Sequence, residues 1–129
     1  MHVQNILKVK GTAVATIGPD DSLADATAAL RDHGVGALVV SRDGHTIDGI
    51  VSERDVVRAL AAHGASTLGR NVASAMSTTV TTCHGHDTVD HMMGMMTERR
   101  IRHLPVVDDD GKLAGIISIG DVVKARVGQ

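Results

Sequence analysis

Apolar and polar positions along this chain change rhythm several times, and the order of those rhythms occurs twice. VATI at 14–17 is a short β-branched run, and PDDS at 19–22 supplies a turn and then a capping serine, which predicts a strand followed by a helix start. From Ser22 to His33 the residues Leu23, Ala26, Thr27 and Leu30 recur at helical spacing, and Gly34 stands where a left-handed C-terminal cap is needed. GALVVS at 36–41 reads as a buried strand, RDGHT at 42–46 as a polar turn containing Asp-Gly, and IDGIVS at 47–52 as the return strand of a hairpin. Ser52 then opens a second helix that puts Val56, Val57 and Leu60 on one face and ends before Gly64.

The second half repeats this order. VTTC at 80–83, a helix from Thr88 to about Arg100, HLPVV at 103–107, the turn DDDGK, LAGIIS at 113–118 and a helix to Val127 follow one another in register. An offset of 66 residues lays GIVSERDVVRA at 49–59 on GIISIGDVVKA at 115–125, and the same offset matches Val40 with Val106, Thr16 with Thr82 and Asn5 with Asn71. VQNILKVK at 3–10 and NVASAM at 71–76 are expected to form short helices leading into each copy, and GASTLGRN at 64–71 has the small, polar composition of a surface connection. The expected fold class is α/β (α+β), with a first unit over 1–66 and a second over 67–129. Half a chain of this length is too small to close a core alone, so the two are expected to form one pseudo-symmetric domain.

Composition narrows the function classes. The net charge is −2 and there are no long basic runs, which argues against duplex nucleic acid as a partner, where phosphate neutralisation dominates affinity. Phe, Tyr and Trp are all absent, which removes the stacking platforms of single-strand binders. Any base bound here must lie between aliphatic side chains. Cys83 is the lone cysteine, MHVQNILKVKG lacks the apolar core of a signal peptide, and no stretch approaches a membrane span, so a cytoplasmic, reducing location with no membrane association is expected.

Both hairpins close on Gly-Ile-aliphatic-Ser-x-x-Asp, at Gly49–Asp55 and Gly115–Asp121. A serine N-cap with an acidic residue three positions on is close to a capping box, so either element alone is accounted for as a helix start. Repetition does not change that, because copies that share a fold share a cap. The combination is more specific: the I-L-K and A-S-A-M lead-ins, V-x-T at 14–16 and 80–82, RHLPVVD at 102–108 and the two GI-x-S-x-x-D elements, all in this order.

As a set these residues resemble a tandem pair of CBS domains, sometimes called a Bateman module, over about residues 5–127. The resemblance implies two β-α-β-β-α units packed sheet to sheet about a pseudo-two-fold, with clefts that commonly bind AMP, ADP, ATP, NAD or S-adenosylmethionine. It implies ribose-binding roles for Asp55 and Asp121, whose carboxylates can each accept two hydrogen bonds from vicinal hydroxyls. Ser52 and Ser118 fall where a helix N-terminus welcomes phosphate. The base would be held by main-chain groups and aliphatic walls at Thr16, Ile17, Thr82 and Cys83, with Ala37, Leu38, Leu104 and Pro105 nearby. It further implies a homodimer, a regulatory role in signal transduction, and an effector protein the sequence does not identify.

The copies are not equivalent. Arg99, Arg100, Arg102 and His103 stand opposite His33, Gly34, Gly36 and Ala37, so basic side chains gather before the central strand of the second copy only. A helix C-terminus explains Arg99 and Arg100; Arg102 and His103 lead straight into a strand and, by the resemblance, contact nucleotide phosphate. Arg54, opposite Gly120, either pairs with Asp55 or reaches a ligand.

Cys83, His84, His86 and His91 carry zinc-ligand chemistry, but their spacing matches no closed site, and no metal is expected. Met92, Met93 and Met96 recur on one helix face as core residues, whereas Met95 falls off that face, toward a partner chain. No nucleophile-base set, Walker loop or dinucleotide fingerprint is present, so the chain is not expected to be an enzyme. Three readings remain: an adenine-nucleotide sensor, a ligand-free structural module, and a redox- or metal-responsive stress protein built on Cys83 and its histidines.

Overall fold

The computed structural model describes residues 1–128. In chain order it contains α1 (Val3–Lys10), β1 (Thr16–Ile17), α2 (Leu23–His33), β2 (Ala37–Val40), β3 (Gly49–Ser52), α3 (Glu53–His63), 3₁₀ turns at Gly64–Gly69 and Val72–Ser74, β4 (Cys83–His84), α4 (Val89–Arg99), β5 (His103–Val107), β6 (Leu113–Ser118) and α5 (Ile119–Val127). Each repeat is β-α-β-β-α, as the sequence predicts. In each, the first strand runs parallel to the second through a helical crossover, and the second pairs antiparallel with the third across the hairpin.

The local signals act as expected. Ser22 and Thr88 cap α2 and α4 by accepting from the amides of Asp25 and His91. The turn between β2 and β3 is organised by Asp43, whose Oδ1 accepts from the amides of His45 at 2.8 Å and Thr46 at 2.7 Å, while Oδ2 accepts from the Thr46 hydroxyl. These donors hold the Asp43 carboxyl well below the usual carboxylate range. At the end of α2, Gly34 takes φ 63°; at the end of α4, Arg100 takes φ 56°, left-handed geometry that a side chain adopts only at a cost.

In space the chain divides differently from its sequence repeat. One unit is Val14–Val80, and the other joins Met1–Ala13 to the chain from Thr81 onward. The lead-in helix α1 thus belongs with the second copy, where Val3 N–H donates to Asp87 O and Gln4 N–H to Gly85 O. The 72–74 turn serves the first copy in the same way, with Val72 N–H donating to Asp21 O and Ala73 N–H to Pro19 O. Val72 therefore does what Val3 does, and Asn71, bridged to Ser22, does what His2 does, bridged to Thr88. The lead-ins correspond at an offset of 69 residues, not the 66 that aligns Asn5 with Asn71. The first lead-in continues as helix to Lys10, whereas the second ends in one turn and then runs extended to Ser77.

Each unit carries its own hydrophobic cluster, and each cluster is completed by a lead-in. Ile17, Leu23, Ala26, Leu30, Leu38, Val40, Val51 and Val56 pack with Val72; Cys83, Val89, Met92, Met96, Leu104, Val106, Ile117 and Val122 pack with Val3 and Ile6. Met93 and Met95 are half-buried against the second cluster, so Met95 belongs to that core's margin and not to an exposed face. Of the three α3 residues expected on one apolar face, Val56 turns inward beside Ala59, whereas Val57 is 63% and Leu60 40% exposed.

Candidate functional site

The glycine that opens each GI-x-S-x-x-D element is fixed by packing. A Cβ on Gly49 would lie 2.7 Å from Ser77 O and 2.8 Å from Met76 Sδ, and one on Gly115 would lie 2.9 Å from a Leu7 methyl. Lead-in and edge strand meet there closely, through the Ser77 backbone at Gly49 and the Leu7 side chain at Gly115, which brings each lead-in to the helix start that follows.

At that start both serines and both aspartates form reciprocal caps. In the first unit Ser52 N–H donates to Asp55 Oδ2 at 2.9 Å, Asp55 N–H donates to Ser52 Oγ at 3.2 Å, and the Ser52 hydroxyl donates to Asp55 Oδ2 at 3.0 Å. In the second, Ser118 N–H donates to Asp121 Oδ2 at 2.9 Å and Asp121 N–H donates to Ser118 Oγ at 3.1 Å. The capping box is real in both units. It engages Oδ2 alone; among the described residues nothing donates to Oδ1 of either carboxylate, so each half-buried aspartate keeps an unused acceptor beside a helix N-terminus.

The sheets bring the predicted neighbours together within each unit. Ala37 pairs with Ser52, and His103 with Ser118, at the open ends of their hairpins, away from the turns. Glu53 N–H donates to Gly36 O, and Ile119 N–H to Arg102 O, so Arg102 is anchored by its carbonyl beside α5 while its side chain is exposed. Arg54 is exposed, and no ion pair joins it to Asp55 among the described residues. The aliphatic positions behave differently from a side-chain wall. Ile17, Leu38, Cys83 and Leu104 turn into the hydrophobic clusters, and Ala37 and Pro105 are buried, so most of these positions offer a ligand main chain only. Thr16 is exposed and Thr82 half-buried. Val39 and Ser41 donate to Ala15 O and Ile17 O, which leaves the Thr16 peptide groups toward the free edge of the sheet.

The Cys83 and histidine group is dispersed. Cys83 is 1% exposed, and burial, with the Asp87 carboxylate adding to it, pushes its thiol up to about 12. His84 and His86 stack with ring centroids 5.3 Å apart, outside the core that holds the thiol.

Two features escaped the sequence. Lys10 Nζ lies 2.7 Å from Asp121 Oδ2 and 2.9 Å from Ile116 O. Burial raises the Asp121 pKa, but the Lys10 ammonium and the Ser118 amide outweigh it and leave the carboxyl below its ordinary value. Residues 111 positions apart carry no local signal of such a pair. In the first unit a cavity of about 220 Å³ beside Asp55 is lined by Arg58, His63, Arg70 and Ser74. Basic side chains therefore lie beside Asp55 in the first copy, which the sequence did not point to.

Comparison with known proteins agrees with this fold. The CBS-domain family model matches residues 8–62 and again 72–128. The CBS domain-containing protein CBSX3, mitochondrial, of Arabidopsis thaliana is 35% identical over 133 residues, and the match covers 97% of this chain but 64% of that protein's length. Among solved structures, a CBS-domain-containing protein of Agrobacterium tumefaciens superposes with a TM-score of 0.93 at 46% identity, covering 98% of this chain and 99% of that one. The CBS domain pair of protein MJ0100, in complex with 5′-methylthioadenosine and S-adenosylmethionine, gives 0.87 at 26% identity over 99% and 97%. CBSX2 in complex with AMP gives 0.80 at 29% identity over 98% and 96%. With two copies of the family's unit and relatives that match along nearly all of its length, the chain belongs to the CBS-domain family.

Proposed function

We propose that the protein is a regulatory module that binds an adenosine-containing ligand, of the class AMP, ADP, ATP, NAD or S-adenosylmethionine, at the helix starts of its CBS units. The observation that carries this reading is the pair of capped aspartates. Asp55 and Asp121 are each held in place through Oδ2 and keep Oδ1 open, as a ribose acceptor requires. In the first turns of α3 and α5 the amides of Glu53, Asp55, Ile119 and Asp121 are engaged, which leaves those of Arg54 and Gly120 for a phosphate at the helix start. Arg54, Arg58 and Arg70 in the first unit, and Arg102 in the second, supply positive charge, and His103 adds a basic ring. AMP in CBSX2, and 5′-methylthioadenosine and S-adenosylmethionine in the MJ0100 pair, support the adenosyl class.

Ligand binding would act by favouring one arrangement of the protein over another, which requires unequal affinity for the two. The exposed Val57 and Leu60 on α3 and Val123 and Val127 on α5 are apolar faces consistent with a homodimer whose surface an effector reads in trans. Among the described residues no helix is long and apolar enough to cross a membrane. A regulatory module in a reducing cytoplasm is consistent with a chain that has no disulfide partner for Cys83.

The chain lacks Trp and Tyr, so the nucleobase absorption band of purified protein reports bound nucleotide directly. Calorimetry with AMP, ATP, NAD and S-adenosylmethionine should give saturable heat. D55N and D121N, which preserve size and one acceptor oxygen, should together weaken ribose-containing ligands by roughly tenfold to a hundredfold, the worth of charge-assisted hydrogen bonds. No heat from any of the four at millimolar ligand would defeat the reading.

A further inference from the structure

Lys10 makes the two aspartates unequal. In the first unit, Asp55 Oδ2 receives a main-chain amide and a serine hydroxyl, and Ile50 O receives the Ser77 amide. In the second, an ammonium joins the carboxylate and takes the place of the linker amide: Lys10 Nζ binds Asp121 Oδ2 and Ile116 O together. The cause lies in the longer lead-in, which stays helical to Lys10 and reaches the hairpin with a side chain where the other reaches it with extended backbone. A hydroxyl can rotate away from a carboxylate and still accept the capping amide. An ammonium in a 2.7 Å ion pair leaves at a cost that water repays only in part and an anion repays more fully.

We propose that Lys10 is a selectivity residue, which closes Asp121 to neutral nucleosides and yields it to ligands that carry phosphate. The proposal rests on Asp121 being a ribose acceptor. A diol that takes both oxygens of Asp121 must displace Lys10 from Oδ2. Adenosine offers the displaced ammonium nothing in return, and the loss of the pair counts against binding. A nucleotide brings its own anion, and the flexible four-carbon stem of lysine allows the ammonium to exchange carboxylate for phosphate without moving α1. Phosphate preference at Asp121 then arises from an exchange of partners. At Asp55 no cation has to be displaced, so the penalty on adenosine is absent there.

The test reads the two units separately, by following the amide resonances of Ser118 and Asp121 and those of Ser52 and Asp55 during titration with adenosine and with AMP. In wild type the Ser118 and Asp121 signals should respond to AMP at concentrations roughly tenfold or more below those needed for adenosine. K10M should gain adenosine affinity at these amides and lose AMP affinity, so that the ratio falls severalfold toward one. K10R, which keeps the charge, should retain the wild-type ratio and serves as the control for folding. An unchanged ratio in K10M overturns the proposal. So does a response confined to Ser52 and Asp55, which would leave the nucleotide reading standing on the first unit alone. If neither ligand moves any of the four amides, the proposal falls, and the nucleotide reading falls with it when ATP, NAD and S-adenosylmethionine give no heat either.

Discussion

Cys83 separates the nucleotide reading from the redox reading, and its reactivity follows from its surroundings. The thiol lies in the second hydrophobic cluster with 1% of its surface exposed, and burial, reinforced by Asp87, sets it at about 12. At about pH 8 an ordinary cysteine, with a pKa of about 8.5, is roughly one-quarter thiolate. At about 12 the fraction is about 1 in 10,000. The nucleophile is thus depleted roughly 2,000-fold before access is considered. The perturbation is a disulfide reagent such as dithionitrobenzoate, added to native protein and to protein in denaturing guanidinium at the same pH. Denatured protein should release one equivalent of thionitrobenzoate at the rate of a free thiol. Native protein should react at least about a thousandfold more slowly, and sub-denaturing guanidinium should accelerate it, because attack waits on opening of the core. Stoichiometric release from native protein at the free-thiol rate would refute the burial argument and return a redox role to Cys83.

Gly34 and Arg100 end equivalent helices in the same left-handed geometry, at φ 63° and 56°, and a Cβ on Gly34 would meet nothing within 4 Å. R100G should therefore raise stability by about 0.5–1 kcal/mol and G34A lower it by about 1 kcal/mol, read by thermal unfolding as shifts of a few degrees in opposite directions; shifts of the same sign would contradict the backbone account. The Lys10 pair predicts a pH dependence: the Asp121 pKa is depressed in the folded protein, so the stability it confers is present above about 4 and is lost as pH falls through the lowered value. K10M should be less stable than wild type near neutrality by about 1 kcal/mol at most, given side chains 35% and 26% exposed, and the two unfolding curves should converge on acidification; a gap that persists through the acid limb would exclude the ion pair as its source.

What the sequence revealed is what local chemistry determines. Ser22, Ser52, Thr88 and Ser118 cap the helices they were expected to cap, and Asp43 and Gly44 build the turn between β2 and β3, because each signal acts within a few residues of itself. The misreadings come from contacts the chain makes at long range. Val57 and Leu60 share a helical stripe with Val56, yet only Val56 reaches the core, since the sheet covers a narrower face of α3 than the apolar residues span. The 66-residue register holds from β1 onward but fails in the lead-ins, where helical α1 and an extended linker reach equivalent places through different lengths of chain. Neither the Lys10–Asp121 pair nor the Arg58, His63 and Arg70 grouping beside Asp55 has a spacing that a sequence pattern could expose.

On the proposed function, the cap and the ribose acceptor, which compete as explanations of Ser-x-x-Asp when only the sequence is considered, share the carboxylate. The serine amide holds Oδ2, and a diol takes Oδ1 together with the place on Oδ2 that its further partner gives up. Capping requires one oxygen to receive the serine amide, and Oδ2 does this in both units. It also fixes the side-chain rotamer, so Oδ1 is held ready at the helix start without the entropy loss that an unconstrained aspartate would incur on binding. A cap therefore makes Asp55 and Asp121 better acceptors, and the same bond explains why both copies keep the aspartate whatever their ligands. What can diverge is the charge on the further partner of Oδ2: only a rotatable hydroxyl in the first unit, the Lys10 ammonium in the second. Functional asymmetry between the copies is for that reason expected to follow the lead-in segments, which differ in length and conformation, more than the repeated Ser and Asp, which do not.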